Sequence, residues 1–83
     1  MKILIRHRVY QRYLDHENQW VARSDIARDF MNGGLAIAHA AAIGLRSDID
    51  LAYHFPNPAF NFYTPLDAFG HARSKVKANG RIK

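Results

Sequence analysis

Cysteine is absent from the sequence. That excludes a disulfide framework and a thiolate zinc site, the devices on which many small secreted domains depend, and makes the cytoplasm the expected compartment. Long hydrophobic runs are absent too. The longest, Gly33 to Leu45, covers thirteen residues and is interrupted by His39, against about 20 for a membrane-spanning helix. Near the start only Ile3, Leu4 and Ile5 are consecutive aliphatics, far short of the roughly 7–15 apolar residues of a secretory signal core. Neither export by that route nor a transmembrane helix is expected.

Catalytic signatures are lacking as well. The chain contains no Gly-x-Gly-x-x-Gly, no phosphate loop with its Gly-Lys-Ser/Thr, no Gly-x-Ser-x-Gly and no His-Glu-x-x-His. Its histidines, at positions 7, 16, 39, 54 and 71, include no pair spaced to put two metal ligands on one helix face. Asp15-His16-Glu17 reads as a solvated turn, and Gly33-Gly34 as a loop and cap rather than an anion site. The expectation is a protein that is not an enzyme and that carries neither metal nor cofactor.

What is present suffices for one domain. Eighty-three residues support a single small core, and a hydrophobic fraction of 48% with 12% aromatics is that of a packed chain rather than a disordered one. The net charge of +5 is unevenly placed. Residues 1–70 hold seven Lys/Arg and seven Asp/Glu, so the excess sits in Arg73, Lys75, Lys77, Arg81 and Lys83. This division predicts a folded domain over residues 1–70 and a basic flexible tail over 71–83.

Along the domain, Ile3, Ile5, His7 and Val9 alternate with Lys2, Arg6 and Arg8, broken only by Leu4, which reads as a strand with one wet face. The polar cluster Asp15 to Asn18 turns the chain towards Gln19-Trp20-Val21-Ala22, making a hairpin of about 2–9 or 2–14 with about 19–23. Ser24-Asp25 is placed to cap a short helical turn that brings Ile26 and Phe30 to the core. Asn32 is a candidate cap for a main helix over about Leu35–Gly44, with Leu35, Ala38, Ala42 and Leu45 on its core face and most of its surface covered. Ile49, Leu51, Tyr53 and Phe55 alternate with Asp50, Ala52 and His54. After Pro56-Asn57-Pro58, Phe60, Phe62, Thr64 and Leu66 do the same, giving a second hairpin. Trp20, Phe30, Tyr53, Phe55, Phe60 and Phe62 read as core. The predicted fold is α+β, a small two-layer sandwich with an antiparallel sheet of about four strands in the order β-β-α-β-β and one main helix on one face.

Two surface groups stand out as candidate sites. Arg6, Arg8, Tyr10 and Arg12 point the same way if one strand register is kept, and basic side chains around an aromatic form a platform for single-stranded nucleic acid. A turn near Tyr10 breaks that parity, and charge on an edge strand also serves against aggregation. Arg73, Lys75 and Lys77 of the tail add phosphate contacts without sequence preference. The second group is a polar patch of His54, Asn61 and Tyr63 on the open sheet face, where a His–Tyr pair is capable of acid–base work but lacks a partner nucleophile.

In Tyr13-Leu14, Trp20, Ala27-Arg28-Asp29-Phe30, Gly44-Leu45, Phe55 and Pro65-Leu66 the chain resembles short uncharacterised bacterial proteins over about residues 3–67. The resemblance implies a ββαββ-like cytoplasmic protein of bacteria, phage or other mobile elements, and it supplies no activity or site residues. A small domain without catalytic groups works by binding. The leading expectation is an interaction module that binds another protein through an open sheet face or edge, as an inhibitor or accessory of a larger machine, with a homodimer through edge pairing as one form. The alternative is a nucleic-acid-binding accessory protein using the basic strand face and tail.

Overall fold

The computed structural model describes residues 1–66, so the expected limit at residue 70 and the basic tail over 71–83 lie outside the described residues. Five strands, β1 (Lys2–His7), β2 (Arg12–Leu14), β3 (Trp20–Val21), β4 (Ile49–His54) and β5 (Phe62–Pro65), form one antiparallel sheet in the order β3-β2-β1-β4-β5. One helix, α1 (Gly33–Ala42), packs on one face. No helix among the described residues is long and apolar enough to cross a membrane. The α+β class and the single main helix are as the sequence predicts.

The strand count is five rather than four because the chain reverses earlier than the alternation suggests. Arg8 to Gln11 forms a turn in which Gln11 takes a positive φ of 54° and its amide donates to the His7 carbonyl at 2.8 Å. β1 therefore pairs first with β2, His7 opposite Arg12 and Arg6 opposite Tyr13, and β2 then pairs with β3. The single long hairpin becomes two short ones.

β1 and β4 lie in the middle and are covered on both faces, which is why Leu4 interrupts the alternation. Ile3 and Ile5 enter the helix-side core with Ile49 and Leu51, while Leu4, opposite Ala52 on the other face, is also fully buried. Buried centre strands read as continuous apolar runs. β2 is too short to flank all of β1, and the segment after β3 completes the job. Phe30 N–H donates to the Ile3 carbonyl at 2.8 Å, Arg28 N–H to the Leu14 carbonyl at 3.0 Å, and the Asp29 carboxylate accepts from Ile3 N–H at 3.0 Å and Met31 N–H at 2.9 Å.

The stretch after β3 makes a single 3₁₀ turn, Ser24–Ile26, without a side-chain cap. Ser24 does not cap it, and Arg23 pairs with Asp25 at the surface instead. Phe30 reaches the core but Ile26 stays exposed, because a single turn never brings residues four apart onto one face.

Asn32 caps α1, its side-chain oxygen accepting from Leu35 N–H at 2.8 Å, and Gly44, at a φ of 80°, lets the Leu45 amide return to the Ala40 carbonyl at 2.9 Å. The buried face is Ala36 and Ala40 with Ile37 beside them. The expected face is displaced: Leu35, Ala38 and Ala42 are exposed, Leu35 at 56%, and only Leu45 packs inward. A helix apolar all round carries no periodic signal to fix its rotation. Here the rotation follows from Gly33, where an added Cβ meets Tyr53 Oη at 3.3 Å and Leu51 Cδ1 at 3.7 Å. Nor is the helix covered on most of its surface.

Asp29→Ala leaves the Ile3 amide without its acceptor beside a buried strand. We expect a loss of about 2 kcal/mol, read by urea denaturation, in line with an unsatisfied buried donor; an unchanged midpoint removes Asp29 as the tie that completes the sheet.

Candidate functional site

Strand parity sorts the candidate residues onto two faces. On the face away from α1, Arg6 lies opposite Asp50 and Tyr13, Ala52 lies opposite Leu4 and Tyr63, and His54 lies opposite Lys2. Asp50, only 4% exposed, accepts from Arg6 Nη1 at 3.3 Å and from Arg8 Nε and Nη2 at 3.2 and 3.0 Å. Arg8 also reaches Asp48 at 3.9 Å. Two guanidinium groups are thus gathered on one buried carboxylate.

Beside this cluster lies a row of rings. The His54 ring meets Tyr13 edge-on at 5.6 Å and Tyr63 at 6.5 Å, and the Arg6 guanidinium stands over the Tyr63 ring at 4.4 Å, a cation–π contact. Burial, with Tyr63 beside it, pushes the Tyr13 phenol above its ordinary value against the pull of Arg6. Burial, followed by the charges of Lys2 and Arg6, holds His54 below the usual imidazole value. His54 Nε2 and Arg6 Nε are both buried without a hydrogen-bond partner. The second face is therefore a small packed layer and not the bare open surface that the alternation suggests.

The basic stripe does not assemble. Arg6 and Arg8 reach the second face and are held by Asp50. Tyr10 lies in the turn, stacked on His7 at 4.4 Å, and Arg12 pairs with His7, whose parity belongs to the helix side. The turn at residues 8–11 breaks the register that the stripe requires. Arg73, Lys75 and Lys77 lie outside the described residues. Of the polar patch, His54 and Tyr63 come together, but Asn61 does not join them. Its side-chain oxygen accepts from Phe55 N–H at 2.7 Å and closes the turn between β4 and β5. His39, on α1, meets Asn18 Oδ1 at 2.7 Å, a side-chain partner at the helix margin.

The feature that sequence reasoning missed is the outer edge, β5. Phe60 and Phe62, expected in the core, are 65% and 48% exposed, and Tyr63 is 46% exposed. Phe62 stacks on Tyr53 at 4.6 Å and on Phe55 at 6.1 Å, so one side of its ring is packed and the other is free. α1 does not extend over this strand. From Phe55 to Leu66 there is no Asp, Glu, Lys or Arg, and that uncharged stretch was the available signal. Edge strands ordinarily carry charge or are cut short. The opposite edge follows that rule, since β3 is two residues long and is followed by the Arg23–Asp25 ion pair.

The backbone of this edge is determined by the pairing. Along an antiparallel strand the N–H and C=O groups of successive residues address opposite neighbours. Arg8 N–H donates to the Asp48 carbonyl on the β1 side at 2.7 Å, and Phe55 N–H donates towards β5. Even-numbered residues of β4 therefore address β1 and odd-numbered ones address β5. Leu51 and Tyr53 pair with Thr64 and Phe62, which turns those two inward and leaves Tyr63 and Pro65 facing out. Proline has no N–H. Tyr63 thus supplies the single outward amide donor of β5.

Compared with protein-family models, curated proteins and solved structures, the chain matches none.

Two outcomes test the second face. Asp50→Ala leaves Arg6 buried without its anion. We expect a loss of about 3 kcal/mol by denaturant titration, the low end for a broken buried pair because Arg8 keeps access to water. With the folded-state His54 value depressed, the unfolded chain binds its proton first, so stability is full above pH 6.5, the unperturbed value, and falls as pH drops through the lower folded value. Melts at pH 7.5 and pH 5 check this: His54→Phe is expected to be less acid-sensitive, and an equal acid slope in both proteins shows that His54 is not its source.

Proposed function

We propose that this protein is a non-enzymatic interaction module that binds another protein by receiving an extended segment along β5, in the role of an accessory or inhibitor of a larger assembly. The observation that carries this reading is an exposed, uncharged edge strand with one outward amide and aromatic rings on both of its faces. Main-chain hydrogen bonds at a sheet edge supply affinity, and the alternating side chains on its two faces supply selectivity. A matching partner segment is extended and uncharged, with apolar residues that meet Phe62 on the helix side and Tyr63 on the other. Phe60 and Phe62 are the anchors, since large aromatics at the middle of a contact carry most of its energy.

The nucleic-acid alternative draws less support from the described residues, because Arg6 and Arg8 already satisfy Asp50 and Tyr10 and Arg12 lie apart from them.

Panning a displayed library of random peptides against the full chain tests the proposal. We expect the selected peptides to be uncharged and β-prone, to slow hydrogen exchange at the Tyr63 amide, and to lose about tenfold or more in affinity for Phe62→Lys, as for a hot-spot side chain. Peptides that bind Phe62→Lys as well as the parent chain place the binding surface elsewhere. Salt-sensitive binding of single-stranded DNA or RNA by the full chain, together with no peptide selected, favours the alternative.

A further inference from the structure

We infer that the segment received by β5 is β5 of a second copy of this chain, paired about a twofold axis that passes through Tyr63. The inference rests on the edge-binding reading above and names its partner.

Backbone satisfaction selects the register. Outward-facing residues pair with outward-facing residues, so a symmetric antiparallel pairing sets Tyr63 against Tyr63, Pro65 or Asn61 of the other copy. Against Pro65, the Tyr63 carbonyl faces a nitrogen that has no hydrogen. Against Asn61, it faces an amide already committed to the Pro58 carbonyl at 3.1 Å. Against Tyr63, the N–H of each copy meets the C=O of the other, and both outward groups are satisfied without breaking any bond already present. The contact is isologous, as closed twofold assemblies require.

Side chains agree with that register. The axis places Phe62 of each copy opposite Thr64 of the other on the helix-side face, an aromatic–β-branched pair of the kind that stabilises sheets. The two Tyr63 rings meet on the opposite face, each already positioned under Arg6. No charge lies between Phe55 and Leu66, so the two copies bring no like-charge repulsion to the seam. The result is a continuous ten-stranded sheet, doubling the five of one chain, whose outer edges are the short β3 strands.

Because the sequence contains no cysteine, single-cysteine variants of the full chain report the register directly. Sedimentation is expected to show twice the 9.5 kDa chain mass, falling towards one chain on dilution. Under mild oxidation, Tyr63→Cys is expected to self-link faster than Phe62→Cys or Thr64→Cys. Mixing Phe62→Cys with Thr64→Cys, both of which keep Tyr63, is expected to give mostly the mixed disulfide, which holds the test open if Tyr63→Cys folds poorly. A dimer in which Thr64→Cys or Phe62→Cys self-links fastest overturns the register. A chain that sediments as a monomer at every concentration yet binds the selected peptides overturns the second copy as partner and leaves the edge-binding reading standing. A monomer that binds none of them overturns both.

Discussion

One buried carboxylate fixes the centre of this sheet. Asp50 sits on β4 at a position where a strand with one wet face would carry a solvated residue, yet it is almost fully enclosed and bound by Arg6 and Arg8. A shift of one residue between β1 and β4 moves every side chain to the other face. It would separate Arg6 from Asp50, expose Ile3 and Ile5, and bury Lys2. The ion cluster and the apolar core therefore specify the same register from opposite faces, and two independent terms agree on one alignment.

With β1 and β4 fixed, the remaining elements solve the problem of edges. β2 covers the end of β1 next to the turn, and Asp29 with Phe30 covers the rest. On the far side, β4 is covered by β5, and β5 itself is left with an open flank. The two outer edges are managed differently: β3 is short and flanked by charge, whereas β5 is aromatic, uncharged and terminated by Pro65. An unprotected edge on a natural protein is either a hazard or a place of contact, and the rings packed behind β5, Tyr53 and Phe55, hold Phe62 in a fixed orientation. That preorganisation reduces the ordering cost of a partner strand.

Much of the fold was legible in the sequence. The alternation of β4 and β5, the Asn32 cap, the Gly44 terminator and the α+β class all come from local rules that tertiary packing does not override. The site was less legible. Parity placed Arg6, Arg8, His54 and Tyr63 on one face, as found, but it extended that parity through Tyr10 and Arg12, where Gln11 adopts a left-handed turn that no glycine or proline announces. Phe60 and Phe62 were assigned to the core because aromatic strand residues usually are. Their exposure depends on how far α1 reaches across the sheet, which no local pattern encodes.

The sequence by itself determined which segments form strands and which forms the helix, where the helix begins and ends, and that the charge excess falls after residue 70. These depend on neighbours a few residues apart. Only the tertiary structure decided the five-strand order, the rotation of an all-apolar helix, the burial of Asp50 between two arginines and the exposure of β5. Each depends on contacts between residues far apart in the chain, such as Arg6 with Asp50 or Ile3 with Asp29, and a sequence read in one dimension lists those residues without saying which of them meet.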